Sequence, residues 1–338
     1  MSAGETVAAE TAARGWGFDQ KALAALFVRL GAFGAFAIIL IYFALTARGF
    51  TSTFNILNVI EQSAILGILA FGMTVVFIGT GTDVQTGGID LSIAANAGLC
   101  AAVYATLAKA GYPDALAVIA TLATGLTVSA LNAVAVVWLG IVPLLATLAV
   151  MNIAAGAELI LTENTVVSAS SPLLSLLVGG SFLGVSALAW CLIVVSLAMA
   201  AVIHFSRFGL RLYTVGSHPE AARAAGIDVG IYQAISFLFS GLAAGVASIL
   251  IVSRLSASTP GTGLLLLPIL AAALLGTVFS RRLVPTIGGT LLAALFIGFL
   301  ANGFQLLGVS SYWVNGVQGA LILLVVAATS FARPSDGG

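Results

Sequence analysis

The segment GSHPEAARAAGIDV, Gly216 to Val229, concentrates the residues of this chain that could do chemistry in water. His218, Glu220, Arg223 and Asp228 follow two further cations, Arg207 and Arg211, in a sequence that is 60% hydrophobic and only 7% charged. Apolar runs long enough to cross a bilayer flank this island on both sides. A membrane protein does not need a short acidic-basic helix at such a place in order to fold. It needs one to dock something at its aqueous surface.

Other chemistries lack their residues. A phosphate-binding loop requires Lys followed by Ser or Thr after a Gly-rich turn. The two lysines, Lys21 and Lys109, are each followed by Ala. Neither a Ser-His-Asp set nor a His/Cys metal set is visible around His204, His218, Cys100 or Cys191, so no catalytic residue, metal or cofactor is expected. Both cysteines lie within apolar runs and read as small packing residues. A net charge of zero gives no reason to expect nucleic acid as a partner.

A second polar feature is GGIDLS, Gly87 to Ser92. Its glycines permit a tight turn, and Asp90 is placed to cap a following helix, where a carboxylate satisfies free N–H groups. Gly88, Asp90 and Ser92 are read as a turn beside a solute pathway. Further polar residues on apolar stretches are mostly neutral: Asn96, Ser129, Asn132, Thr147, Asn152, Asn302 and Gln305. Amides and hydroxyls suit brief contact with an uncharged, polyhydroxylated solute, although hydrogen bonding between helices is the commoner use of such residues. Glu158 is the main ionisable residue within a span, near the outer end of its helix, where it reaches towards the interface. An ion-coupled carrier needs more than that.

These residues must be held by membrane helices. Mean hydropathy is +1.16, and apolar runs of roughly 18 residues or more recur along the chain. The class is all-α and polytopic, with about ten transmembrane helices of the length a bilayer demands. The limits read 29–48, 64–80, 90–108, 114–139, 142–162, 185–205, 229–252, 263–279, 287–307 and 315–331. The stretch 90–108, rich in Ala, Gly and Asn, could be broken or re-entrant, and 172–184 is too short to span. Residues 1–28 form an N-terminal segment without a cleavable apolar region, residues 29–331 the transmembrane domain, and residues 332–338 a tail. With the N-terminus inside, nine of the twelve Lys and Arg fall on the cytoplasmic side, satisfying the positive-inside rule. Both termini and the Gly216 island are then cytoplasmic.

In order along the chain come FNILNVIEQSAILGILAFGMTVV (Phe54 to Val76), GGIDLS, PLLATLAVMNIAAG (Pro143 to Gly156), FGLRLYTVGSHPEAARAAGIDV (Phe208 to Val229), SGLAAGVASILIVSRLSASTPGTG (Ser240 to Gly263) and ANGFQLLGVSSYW (Ala301 to Trp313). Together they resemble the permease subunits of the bacterial ribose/xylose/galactose family of ABC importers. The polar island, GGIDLS and NGFQLLGVSSYW carry most of the specificity, since apolar stretches match widely. The resemblance implies a channel of two permease subunits, alike or different, driven by a cytoplasmic ATPase with two fused nucleotide-binding halves. A periplasmic binding protein would deliver a monosaccharide. Gly216, Pro219, Glu220, Ala221, Ala222, Arg223 and Gly226 match the family's coupling segment, near 217–226. There Pro219 and Glu220 would start a short helix and Gly226 would stop it. The alanines would present a smooth face to a groove on the ATPase, with Glu220 and Arg223 fixing register.

The chain also departs from the pattern. GTDVQT (Gly81 to Thr86) lengthens the turn before the signature, and LLLLPILA (Leu264 to Ala271) stands where the family has an acidic pair. Arg281 and Arg282 replace small residues, and Ala155 replaces a common Arg. These changes bear on the solute more than on the architecture. The alternatives are a stand-alone secondary carrier or facilitator, and an ABC permease for a nucleoside, an amino acid or a signalling molecule.

Overall fold

The computed structural model describes residues 20–81, 88–280, 283–310, 313–317, 319–320 and 323. Its helices are α1 (Gln20–Thr46), α2 (Thr53–Thr80), α3 (Ile93–Lys109), α4 (Asp114–Ala133), α5 (Pro143–Thr162), α6 (Pro172–Gly179), α7 (Ala187–His204), α8 (Arg207–Ser217), α9 (Pro219–Ala224), α10 (Val229–Leu255), α11 (Leu266–Val278) and α12 (Ile287–Leu306). One π-helical turn, Val134–Trp138, extends α4. The two-residue strands β1 (Val167–Ser168) and β4 (Ala257–Ser258) pair antiparallel, as do β2 (Ser181–Phe182) and β3 (Val185–Ser186).

Among the described residues seven helices are long and apolar enough to cross a membrane, and α3 and α11 are shorter apolar helices. The protein is therefore an all-α polytopic membrane protein. The span read at 315–331 lies largely outside the described residues, as does 82–87 with most of the lengthened turn.

α2 is the central post. It is buried almost without interruption from Gly67 to Gly79, so other helices of the chain surround it there. It packs against α10, α12, α7 and α11. α10 in turn holds α4 and α3. Ile68, Phe71, Met73, Ile93, Leu192, Ala244 and Ile269 fill the main core.

α2 begins eleven residues before the apolar reading placed it, at Thr53 rather than residue 64. Ser52 caps it by accepting the Asn55 N–H at 3.2 Å, and Asn58 accepts from Gln62 one turn on at 3.1 Å. Polar residues in these first turns hid a continuous helix. The stretch read as broken or re-entrant is an unbroken helix of 17 residues. At about 1.5 Å per residue it is shorter than a hydrocarbon core of about 30 Å. The non-helical residues 88–90 lead into it, a use of irregular backbone that is tolerated inside protein.

Candidate functional site

α9 is six residues long. A helix this short does not hold itself together in water, so its neighbours must hold it. Pro219 occupies its first turn. At the other end Gly226 takes φ 75°, a left-handed value that favours glycine, while Gly226 N–H reaches the Arg223 carbonyl at 2.9 Å and Ile227 N–H reaches that of Ala222 at 2.9 Å. Asp228 then caps α10 by accepting the Ile231 N–H at 3.1 Å.

The alanines do not form one outward face. Ala222 is fully buried against Val215 and Val229, with Ile227 and Tyr232 beside them. It anchors α9 to α8 and α10 and is not available to a partner, which corrects the expectation for that residue. Ala221, Ala224 and Ala225 are exposed. Glu220 and Arg223 are exposed too, and they pair with each other across one helical turn. The outward surface is thus small, apolar and internally neutralised.

Gly216 ties this unit to the central post. A Cβ there would overlap the Ile78 carbonyl oxygen and stand 3.2 Å from Gly81 N. Only glycine lets the end of α8 press so closely on the end of α2. Tyr213 of α8 donates to the Pro285 carbonyl at 2.7 Å, and His204 Nε2 accepts the Ile287 N–H at 3.2 Å. Burial pushes the Tyr213 phenol up to about 12, so it stays a donor at any physiological pH. The ends of α2 and α7 and the start of α12 therefore meet α8 on one side of the molecule.

The second cluster lies deeper. Asp90 is fully buried. Its Oδ1 accepts from Ser92 N–H at 3.0 Å, Ser92 Oγ at 2.6 Å and Asn132 Nδ2 at 3.2 Å. Its Oδ2 accepts from Ser240 Oγ at 2.5 Å. Asn132 Nδ2 also donates to Ser92 Oγ at 2.7 Å, and Thr147 Oγ1 donates to the Ile89 carbonyl at 2.9 Å. Asp90 is not the cap of α3, a position that Ser92 holds. It is a pin joining the segment before α3 to α4 and α10, while Thr147 joins the same segment to α5. Gly88 is buried against Thr80, whose hydroxyl donates to the Gly88 carbonyl at 3.2 Å.

The pathway residues divide accordingly. Gly88, Asp90, Ser92, Asn96, Asn132 and Asn302 are buried within the chain and do not face an open passage in it. Asn96 Nδ2 donates to the Gly125 carbonyl at 3.0 Å. Asn302 and Asn55 form a reciprocal amide pair at 2.8 and 3.0 Å, joining α12 to α2. Buried amides in a membrane protein need partners, and neighbouring helices supply them for Asn96, Asn55 and Asn302. Asn152 and Gln305 are exposed, Asn152 Nδ2 donating back to the Leu148 carbonyl at 2.8 Å. Glu158 does not reach an interface. It is 4% exposed and packed on Gly98. Sequence reading missed Ser240 and Asn55, which complete the two polar pairings. A cavity of about 370 Å³ lies at the opposite end from α9, between α6 and the end of α10, lined by Ser170, Leu174, Ser175 and Ser253 among others.

Seven apolar helices long enough to cross a membrane thus carry the short, largely exposed helix α9 at one end of the bundle. Residues 55–326 match the family described as branched-chain amino acid transport system / permease component, and the chain belongs to that family of transport permeases. It is 34% identical over 322 residues to the ribose import permease protein of Escherichia coli (strain K12), covering 93% of this chain and 94% of the relative. The ribose import permease protein of Bacillus subtilis (strain 168) is 32% identical over 301 residues, covering 88% and 91%. An autoinducer 2 import system permease protein of Klebsiella pneumoniae is 32% identical over 279 residues, covering 79% and 80%.

Proposed function

We propose that this chain is the permease subunit of an ABC importer and forms, with a second permease subunit, the path for a monosaccharide of the ribose type. One observation carries the reading: the 34% identity to a ribose import permease runs over 93% of the chain. Such an importer works with an ATPase and a substrate-binding protein. The chain is not catalytic, and ATP is hydrolysed by the partner. α9 is the coupling helix, seated on the ATPase through Glu220, Ala221, Arg223, Ala224 and Ala225.

The burial of Asp90, Asn96 and Asn132 inside one chain supports a path that runs between two subunits rather than through one. Asn152, a polar residue among the exposed Leu145, Leu148 and Ile153 of α5, is a natural lining residue for it. Contact there is brief, so selectivity resides in the delivering protein. The test is uptake by vesicles holding the permease, the ATPase and the binding protein encoded with it. ATP-dependent accumulation of labelled ribose is expected, and accumulation of neither ribose, xylose nor galactose would overturn the sugar assignment. The autoinducer 2 permease relatives favour a second reading, a signalling molecule of the autoinducer 2 type, and competition by autoinducer 2 in the same assay decides between the two.

Both termini and α9 face the cytoplasm of a multi-pass inner-membrane protein. Reporter fusions after Ser217 and after Pro334 are expected to read cytoplasmic. A periplasmic signal from either one would contradict the orientation.

A further inference from the structure

Arg207 and Arg211 stand one turn apart on the outward face of α8, and both are exposed. The acids near them are engaged elsewhere: Glu220 pairs with Arg223, and Asp228 caps α10. Arg211 reaches only the Tyr232 hydroxyl, at 3.3 Å, so neither guanidinium has a carboxylate partner among the described residues. Exposed apolar residues neighbour them in sequence. Phe205 is 86% exposed and Leu210 68% exposed. α7, a spanning helix, ends at His204, and Ser206 caps α8 by accepting the Gly209 N–H at 3.2 Å. α8 therefore starts where a span leaves the bilayer. Its buried side, with Leu212 and Val215, is packed on the protein, and the Phe208 and Tyr232 rings stack at 5.5 Å. Aromatic residues collect at this depth of a membrane.

We propose that this corner binds an anionic phospholipid, its phosphodiester held between Arg207 and Arg211 and its acyl chains lying on Phe205 and Leu210. The planar guanidinium fork matches phosphate oxygens in pairs. Exposed apolar side chains beside two unneutralised cations fit an amphiphile better than a soluble anion. The site is separate from the outward face of α9 and does not depend on the solute or on the partners proposed above.

The full chain, purified in neutral detergent, is given phosphatidylglycerol or phosphatidylcholine, and retained lipid is counted by native mass spectrometry. Phosphatidylglycerol is expected to be preferred, by about fivefold for each arginine. The Arg207→Ala, Arg211→Ala variant loses the preference, while Arg254→Ala, at the opposite end of α10, keeps it. Soluble glycerol phosphate fails to displace the bound lipid. Equal retention of the two lipids by the unaltered chain, or an unchanged preference in the double variant, overturns the site. Displacement by glycerol phosphate as effective as by the lipid overturns the acyl contact. A double variant that keeps its lipid preference but loses the ATPase assigns the surface to that protein instead. If the alanine variant aggregates on gel filtration, Arg207→Gln, Arg211→Gln, which keeps much of the side-chain stem, replaces it.

Discussion

Asp90→Ala is expected to lower the stability of the folded protein by about 3 kcal/mol. The carboxylate accepts four hydrogen bonds, from Ser92 N–H, Ser92 Oγ, Asn132 Nδ2 and Ser240 Oγ, at a site closed to water. Alanine takes away the acceptor and leaves these donors buried. Each orphaned donor costs about 1–3 kcal/mol in a protein interior. Side-chain bonds between membrane helices average nearer 0.6 kcal/mol, because the chain in the membrane finds other partners. A total of about 3 kcal/mol is a large part of a native stability of roughly 5–15 kcal/mol. The measurement is the midpoint of thermal unfolding in detergent, followed by fluorescence-detected gel filtration. Asp90→Asn should fall much less, since its amide keeps one acceptor and Ser240 Oγ can turn to accept from the other arm. An alanine variant that melts with the unaltered protein would falsify the pin.

That pin marks where reading the sequence stops short. Asp90 and Ser92 were legible as a turn, because Gly-Gly-Ile-Asp-Leu-Ser carries its own local signal. Their partner Ser240 lies 150 residues away in an apolar run, and nothing near it points back. Asn55 and Asn302 are likewise 247 residues apart. Span positions were legible wherever hydropathy alone decided, as in α4, α5, α7 and α12. They failed at the start of α2, where Asn55, Asn58, Glu61 and Gln62 lower the hydropathy of its first turns. α8 shows a different limit. Its arginines were legible as charge, but the helix alternates buried and exposed residues over only eleven positions, too few to stand out beside long apolar spans. The start and stop of α9 could be read from Pro219 and Gly226. Which alanine turns inward could not, because that depends on where Val215 and Val229 stand.

The direction of Ala222 separates two ways of disabling α9. Ala222→Leu adds bulk at a fully buried site between Val215 and Val229. Overpacking of this kind costs about 1–3 kcal/mol, and a six-residue helix held by one anchor yields by moving. Glu220→Lys leaves the packing alone. It breaks an exposed pair with Arg223 that contributes at most about 1 kcal/mol to the isolated chain. Once covered by an ATPase, the same change sets like charges side by side in the interface, at a cost of about 2–5 kcal/mol if the contact is buried. Both variants should reach the membrane at normal level by immunoblot, since α9 lies outside the spans. Glu220→Lys should abolish ATP-driven uptake and the stimulation of the ATPase by loaded binding protein, while the thermal midpoint of the permease alone stays put. Ala222→Leu should lose the same stimulation with a lowered midpoint. The Glu220→Lys, Arg223→Glu double variant restores the pair within the helix but reverses the pattern shown to the partner, so it should remain inactive. Full uptake by that double variant would mean that only the internal pair matters, and that α9 presents no charge pattern to an ATPase.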